Sequence, residues 1–366
     1  MLSWLDVLKD LSNAFGAPGF EEEITQVIQG YLDQMNLEYQ QDILGNLFVT
    51  LEGEDDFRVM IDAHMDEVAF MVSHIHEAGF LYLTPLGGWD NRILLSHSIT
   101  VQTRDFKKIR GIIGSTPPHI LSASEKNKVL PLDKLFVDVG ARSKEEVESW
   151  GIQIGDPAIL YYPFEELNDY TVAGKAFDNR VGCTMALALL EELRHQKLPY
   201  HLTVVFTTSE EVGLRGASTA AYQVRPDLAL VLECTVGADV PGVRPEKMPT
   251  ALGKGPAITI ADRRTIVPRS LISALQEVAS KNHIPYQLKT PGSGGTDGGA
   301  IQLSRGGVAT MILSVPCRYI HAPISMARKE DIQHTIQLAK EFLTTAILPW
   351  KEKYGSKSYK RSLPTQ

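Results

Sequence analysis

Several marks of other protein classes are missing from this sequence. Its 366 residues hold only three cysteines, Cys183, Cys234 and Cys317, far apart and in no CxxC pair. That spacing excludes a cysteine-type zinc site and reads as free thiols in a reducing cytoplasm. No apolar run approaches the roughly 18 residues of a membrane span. The longest, 181–190, is broken by Thr184. The opening Met1-Leu2-Ser3-Trp4-Leu5-Asp6 has no basic segment leading into an apolar one, so no secretory signal is expected. A basic excess is missing too: Lys+Arg 36 against Asp+Glu 44 gives a formal net charge of -8. Such a chain repels a phosphate backbone, which makes nucleic acid a poor partner. There is no Walker loop and no GxGxxG; Gly292-Ser293-Gly294-Gly295-Thr296 lacks the P-loop lysine, so no phosphate cradle is expected. Internal repeats and low-complexity tracts are absent.

What remains has the balance of a soluble globular chain, 43% hydrophobic and 22% charged. At about 150 residues per domain, the length suits two domains, or one large domain carrying an insertion. After the turn signal Pro18-Gly19, Ile24, Val27, Ile28, Tyr31, Leu32 and Met35 recur at helical spacing. Glu21, Glu22 and Glu23 stand at the positive end of that helix and read as a solvated first turn. Strands are expected at 47–51 and 57–61. From 68 to 163 short β-like runs joined by Gly and Pro dominate, with one helix at 144–150, which reads as a small β-rich insertion. Beyond it, strands at 202–207, 228–232 and 308–315 alternate with helices at 179–194, near Arg215, at 271–281 and at 329–347. Apolar strands alternating with helices imply a mostly parallel sheet covered on both faces. The basic tail, 351–366, reads as a solvated end.

Polar residues of metal-binding type follow four apolar strands. The 57–61 strand leads through Asp62 and Ala63 into His64-Met65-Asp66-Glu67, the 202–207 strand into Thr208-Ser209-Glu210-Glu211, and the 228–232 strand into Glu233. The last strand is followed by Arg318-Tyr319-Ile320-His321, while Asp178 lies in a loop before a helix. In parallel sheets ligands bind at the carboxyl ends of strands, so these side chains can converge. Mixed imidazole and carboxylate donors suit Zn, Mn or Co better than Mg or Ca. One metal needs three of them; the full set fits two metals on the order of 3.5–4 Å apart, with a carboxylate bridging.

Adjacent side chains diverge, so of Glu210 and Glu211 one can ligate while the other serves as general base. The His64-x-Asp66 spacing suits an imidazole ligand oriented by a neighbouring carboxylate. The remaining histidines, His74, His76, His97, His119, His195, His201, His283 and His334, lack such settings and read as structural or exposed.

Five segments carry a family resemblance: Ala63-His64-Met65-Asp66-Glu67-Val68, Gly174-Lys175-Ala176-Phe177-Asp178-Asn179-Arg180, Ser209-Glu210-Glu211-Val212-Gly213-Leu214-Arg215-Gly216-Ala217, Gly294-Gly295-Thr296-Asp297 and Arg318-Tyr319-Ile320-His321. They resemble the signature segments of the tetrahedral aminopeptidase family: glutamyl and deblocking aminopeptidases with co-catalytic metals, some labelled endoglucanases. The match runs from about Leu5 to Pro349 and includes insertion segments such as Leu135-Phe136-Val137-Asp138-Val139-Gly140-Ala141.

The resemblance implies an α/β fold with a mixed, mostly parallel sheet flanked by helices, phosphorylase- or zinc-peptidase-like, with an inserted small β-rich domain. The catalytic metallopeptidase domain would be discontinuous, 1–67 and 164–350, and the insertion at 68–163 a dimerisation domain. His64 and Glu233 would hold one metal, Glu211 and His321 the other, and Asp178 would bridge. Glu210 would be the general base and Asp66 would orient His64. Glu233 stands where many relatives carry Asp. Two divalent ions per subunit are implied, zinc ahead of cobalt or manganese, with no nucleic-acid or membrane partner and with dimers building a hollow tetrahedral dodecamer.

The expected function is a cytoplasmic metalloaminopeptidase that trims short peptides by attack of a metal-bound hydroxide. The same metals could serve a carboxypeptidase or an amide deacylase. A glycosidase would need two carboxylates and no metal, and a non-catalytic assembly protein would keep the fold but lose the base or ligands. The preferred N-terminal residue is not legible in the sequence, although Arg263 and Arg264 could favour an acidic one.

Overall fold

A computed structural model describes residues 2–289, 292 and 294–354. Part of the Gly-rich stretch, Ser293, and most of the basic tail, 355–366, lie outside the described residues; the tail's first four residues belong to the helix Ile347–Tyr354.

A mixed sheet forms the centre of the molecule. Its four middle strands, His201–Thr207, Arg58–His64, Leu228–Val236 and Ala309–Arg318, run parallel in that spatial order. Antiparallel strands extend it on both sides, Leu47–Leu51 and the short Gln40–Gln41 toward one edge and Ser325–Arg328, Thr171–Gly174 and Glu165–Asn168 toward the other. The middle strands are buried almost throughout, as strands covered on both faces must be.

On one face pack the helices Trp4–Asn13, Glu22–Gln34, Phe177–Leu193, Arg269–Lys281 and Lys329–Thr345, which bury Leu8, Ile28, Leu190, Leu275 and Phe342. Arg215–Val224 and Gly298–Gln302 cover the other through Ala217, Ala221 and Ile301.

Between the His64 strand and Glu165 the chain leaves this sheet. The strands Ala69–Ile75, Phe80–Leu86, Ser98–Gln102, Lys108–Gly114, Phe136–Asp138 and Pro157–Leu160 close into an antiparallel barrel around Phe70, Leu81, Val101 and Val137. Closure leaves no unpaired strand edge. Besides the helix Lys144–Ser149 it carries a short one, Ala123–Lys126. Among the described residues no helix is long and apolar enough to cross a membrane.

Three expectations change. The 228–232 strand continues to Val236, because Cys234, Thr235 and Val236 keep their parallel pairing with Val315, Pro316 and Cys317, so Glu233 lies inside a strand. The closing helix stops at Thr345, and a separate helix begins at Ile347. Glu21 is not solvated. It is 6% exposed, since its helix docks this turn against the loop after the His201 strand.

Candidate active site

The carboxyl ends of the parallel strands open into one cavity of about 480 Å³, lined in part by His64, Asp178, Glu210, Glu211, Glu233 and His321. Residues drawn from five separate segments therefore meet, as the strand-end rule anticipates.

Asp178 stands between the two histidines. Its Oδ1 is 3.2 Å from His64 Nε2 and its Oδ2 is 3.3 Å from His321 Nε2. Glu233 Oε1 lies 3.5 Å from His64 Nε2, and Glu211 Oε2 3.5 Å from His321 Nε2. Two compact groups result, His64, Asp178 and Glu233, and Asp178, Glu211 and His321, each with its donor atoms within 4.8 Å of one another. Glu210 Oε2 is 4.0 Å from His64 Nε2, facing the same space without joining either group.

The backbone around these groups is held in place by the interior. Asp178 and Asn179 depart from helical dihedrals at the start of their helix, which turns Asp178 toward the strands. Asn179 donates to the Leu232 carbonyl at 2.9 Å, tying that turn to the Glu233 strand. Gly182 allows the close approach, since a Cβ there would sit 2.4 Å from the Leu232 oxygen. Glu67 accepts from Lys175 at 2.7 Å and Arg180 at 3.1 Å, so a buried ionic trio links the His64 and Asp178 loops. Burial drives the Lys175 amine down to about 8, against the pull of Glu67.

Each imidazole presents Nε2 to the cavity and its other nitrogen to an anchor. His64 Nδ1 lies 3.2 Å from the Asp66 carbonyl and 3.4 Å from its carboxylate. His321 Nδ1 lies 3.2 Å from the Gly88 carbonyl, an oxygen contributed by the barrel segment. Such contacts fix which nitrogen is free to ligate.

Crowding of carboxylates in a dry site shifts their protonation. Burial, reinforced by Asp178, raises Glu211 to about 8, and burial raises Glu233 to about 7. Burial holds Glu210 well above its usual value. Burial opposes protonation of His321, but Asp178 and Glu211 outweigh it and lift the ring to about 9. Asp178 runs the other way: burial is overcome by His321 and His64, and it stays ionised.

Within the two groups, Glu211 Oε1 and Glu233 Oε2 are buried acceptors without a hydrogen-bond partner among the described residues. Orphaned carboxylate oxygens beside paired imidazoles call for cations. The donor set, two histidine nitrogens with carboxylates, fits zinc-like divalent ions.

Some participants carry no sequence signal that separates them from ordinary polar residues. Glu21 looks like any first-turn acid, and Gly88 acts through its carbonyl. Asp62 and Asp297, the latter ending one of the family segments, form a buried acidic pair, with Asp297 accepting from Thr207 at 2.7 Å. Arg264 and Lys289 line the cavity wall, whereas Arg263 is not among the lining residues.

A sheet that gathers this imidazole and carboxylate set into one cavity is the frame of a hydrolase. Comparison with known proteins makes the class specific. A family model described as M42 glutamyl aminopeptidase matches residues 45–338. The structure of a TET aminopeptidase from the marine sediment archaeon Thaumarchaeota archaeon SCGC AB-539-E09 is similar at a TM-score of 0.92 and 36% identity, covering 96% of this chain and 98% of that one. The lysyl aminopeptidase of Pyrococcus furiosus is 32% identical over 94% of this chain and 97% of its own length. A Pyrococcus horikoshii TET1 peptidase, described as assembling into a tetrahedron or a large octahedral shell, is 31% identical at a TM-score of 0.84, with 94% and 100% covered. This chain belongs to the M42 glutamyl aminopeptidase family and is a peptide hydrolase.

Proposed function

We propose that the protein is a metal-dependent aminopeptidase that removes N-terminal residues from short peptides, with two divalent ions per subunit, zinc ahead of cobalt or manganese. The observation that carries this reading is the position of Asp178, with one oxygen toward His64 and the other toward His321. His64 and Glu233 would hold one ion, Glu211 and His321 the other, and Asp178 both.

When bound, the ions would supply Lewis acidity that polarises the scissile carbonyl and acidifies a water. Glu210 is the base. Its carboxylate faces the cavity outside both donor groups, takes the water's proton at Oε2 and hands it to the departing amine. Asp66 holds the backbone that carries Glu210 and orients His64.

Family membership does not fix the side-chain preference, since the matching model is described as glutamyl and one relative is named lysyl. In this chain the cavity wall carries Arg264 and Lys289, and neither is paired with a carboxylate among the described residues. An acidic N-terminal residue suits that wall best.

We also assign the barrel, within 68–163, to pairing of two copies, and dimers to a tetrahedral dodecamer; the Pyrococcus horikoshii TET1 peptidase, described as assembling into a tetrahedron, supports that reading. Exposed Phe106, Ile112, Ile120 and Ile154 on this segment support that role. Three buried free thiols fit a cytoplasmic protein.

The test is Glu210→Gln assayed on free and N-blocked peptides. It should retain its metal and lose on the order of 10²–10⁴-fold in turnover. Turnover at the parent rate refutes the assignment. Cleavage of N-blocked peptides or release of C-terminal residues by the parent enzyme would make it a deacylase or a carboxypeptidase instead.

A further inference from the structure

We propose that Glu21 is a positioning residue for Glu210, acting through Ser209. The idea rests on Glu210 serving as the base. Glu21 Oε1 accepts three hydrogen bonds: from the Gly19 N–H at 2.9 Å, the Ser209 N–H at 3.0 Å and the Ser209 hydroxyl at 3.3 Å. Ser209 has φ 55°, a left-handed conformation that residues with a side chain adopt only when their surroundings hold them there.

The turn lies directly between the strand His201–Thr207 and the paired glutamates, so its geometry decides where Glu210 points. The loop has no sheet partner, and although its carbonyls accept from the turn that follows, Thr208 from Gly216 at 3.0 Å and Ser209 from Arg215 at 3.2 Å, its N–H groups have no backbone acceptor among the described residues. Instead successive N–H groups are taken by side chains: Thr208 by Asn46 at 3.0 Å, Ser209 by Glu21, Glu210 by Asp66 at 2.9 Å and Glu211 by Asp66 at 3.1 Å. Asp66 fixes the two glutamates from the strand side. Glu21 fixes the strained residue ahead of them from the helix side, 188 positions away in sequence. Releasing that residue lets the peptide relax toward an ordinary φ and swings the Glu210 side chain from the cavity.

All three donors converge on one oxygen, which distinguishes positioning from charge. An amide carbonyl can replace that oxygen, whereas a side chain one methylene shorter cannot span to Ser209. The test compares Glu21→Ala, Glu21→Asp and Glu21→Gln with Glu210→Gln in the full-length protein. Circular dichroism, bound metal, kcat and KM are measured for each.

Folded Glu21→Ala and Glu21→Asp should lose roughly 10- to 100-fold in kcat with KM and metal content held, as for a misplacement on the order of 1 Å. Glu21→Gln should restore most of it. Should Glu21→Ala not fold, Glu21→Asp gives the same reading.

Unchanged kcat in folded Glu21→Ala and Glu21→Asp beside an inactive Glu210→Gln overturns the role of Glu21 alone. So does a Glu21→Gln that rescues nothing. Full turnover in Glu210→Gln is a different result, which removes the base itself and the positioning role with it.

Discussion

Asp66 grips the loop that carries Glu210: its Oδ1 accepts the Glu210 backbone N–H at 2.9 Å while its Oδ2 accepts that of Glu211 at 3.1 Å. The same carboxylate lies 3.4 Å from His64 Nδ1. One fully buried side chain therefore holds the backbone of the proposed base and of one proposed ligand, and contacts the imidazole of another.

Asp66→Asn tests that triple role. The amide must aim its NH₂ at one of these backbone donors, so one contact becomes repulsive. Turnover should fall about 10- to 100-fold, the usual effect of removing an orienting partner. Steady-state kinetics and metal analysis of the variant check it, and parent-like kcat contradicts it.

The barrel segment reaches the site through the Gly88 carbonyl on His321. Gly87 beside it has φ 98°, and a Cβ there would lie 2.8 Å from Val68 Cγ1. Gly87→Val should displace the carbonyl and weaken one of two metal-binding steps about 10- to 100-fold, leaving the other little changed. Calorimetric titration of the metal-free protein resolves the steps. Equal affinities in variant and parent rule the contact unimportant.

Metal affinity should depend steeply on pH. In the metal-free site Asp178 and Glu211 outweigh burial and lift His321 to about 9, and burial lifts Glu211 to about 8 and Glu233 to about 7. Below those values each group holds a proton that a cation must displace, so binding strengthens as pH rises from 6 toward 9. Each released proton contributes about tenfold per pH unit. Dissociation constants measured at pH 6, 7 and 8 should fall accordingly; a flat series contradicts the proposed donor set.

The strand ends were legible because a buried apolar run that stops at His64 or Glu210 breaks its own pattern. The family segments then supplied roles that spacing alone left open between Glu210 and Glu211. The sequence places Glu233 at the end of its strand, because an acidic residue interrupts the apolar run there, whereas the strand runs on to Val236. From sequence Glu21 reads as solvated because helix N-termini commonly carry acids, and only the docking of Ser209 against it reveals the burial. Gly88 contributes a backbone oxygen, which no side-chain pattern encodes.

Arg264 and Lys289 should set the preferred first residue. Arg264→Glu and Lys289→Glu are expected to lower kcat/KM for N-terminal Glu and Asp by about tenfold or more relative to Lys and Leu. A peptide library scored by N-terminal residue checks this, and an unchanged ranking in both variants contradicts it.

Metal counting with and without chelation tests the central claim most directly. The purified chain should carry two divalent ions per subunit, lose both metal and peptide hydrolysis on exhaustive chelation, and regain activity when a divalent ion is restored. Full hydrolysis by metal-free protein, or one ion at saturation, would contradict the paired centre around Asp178.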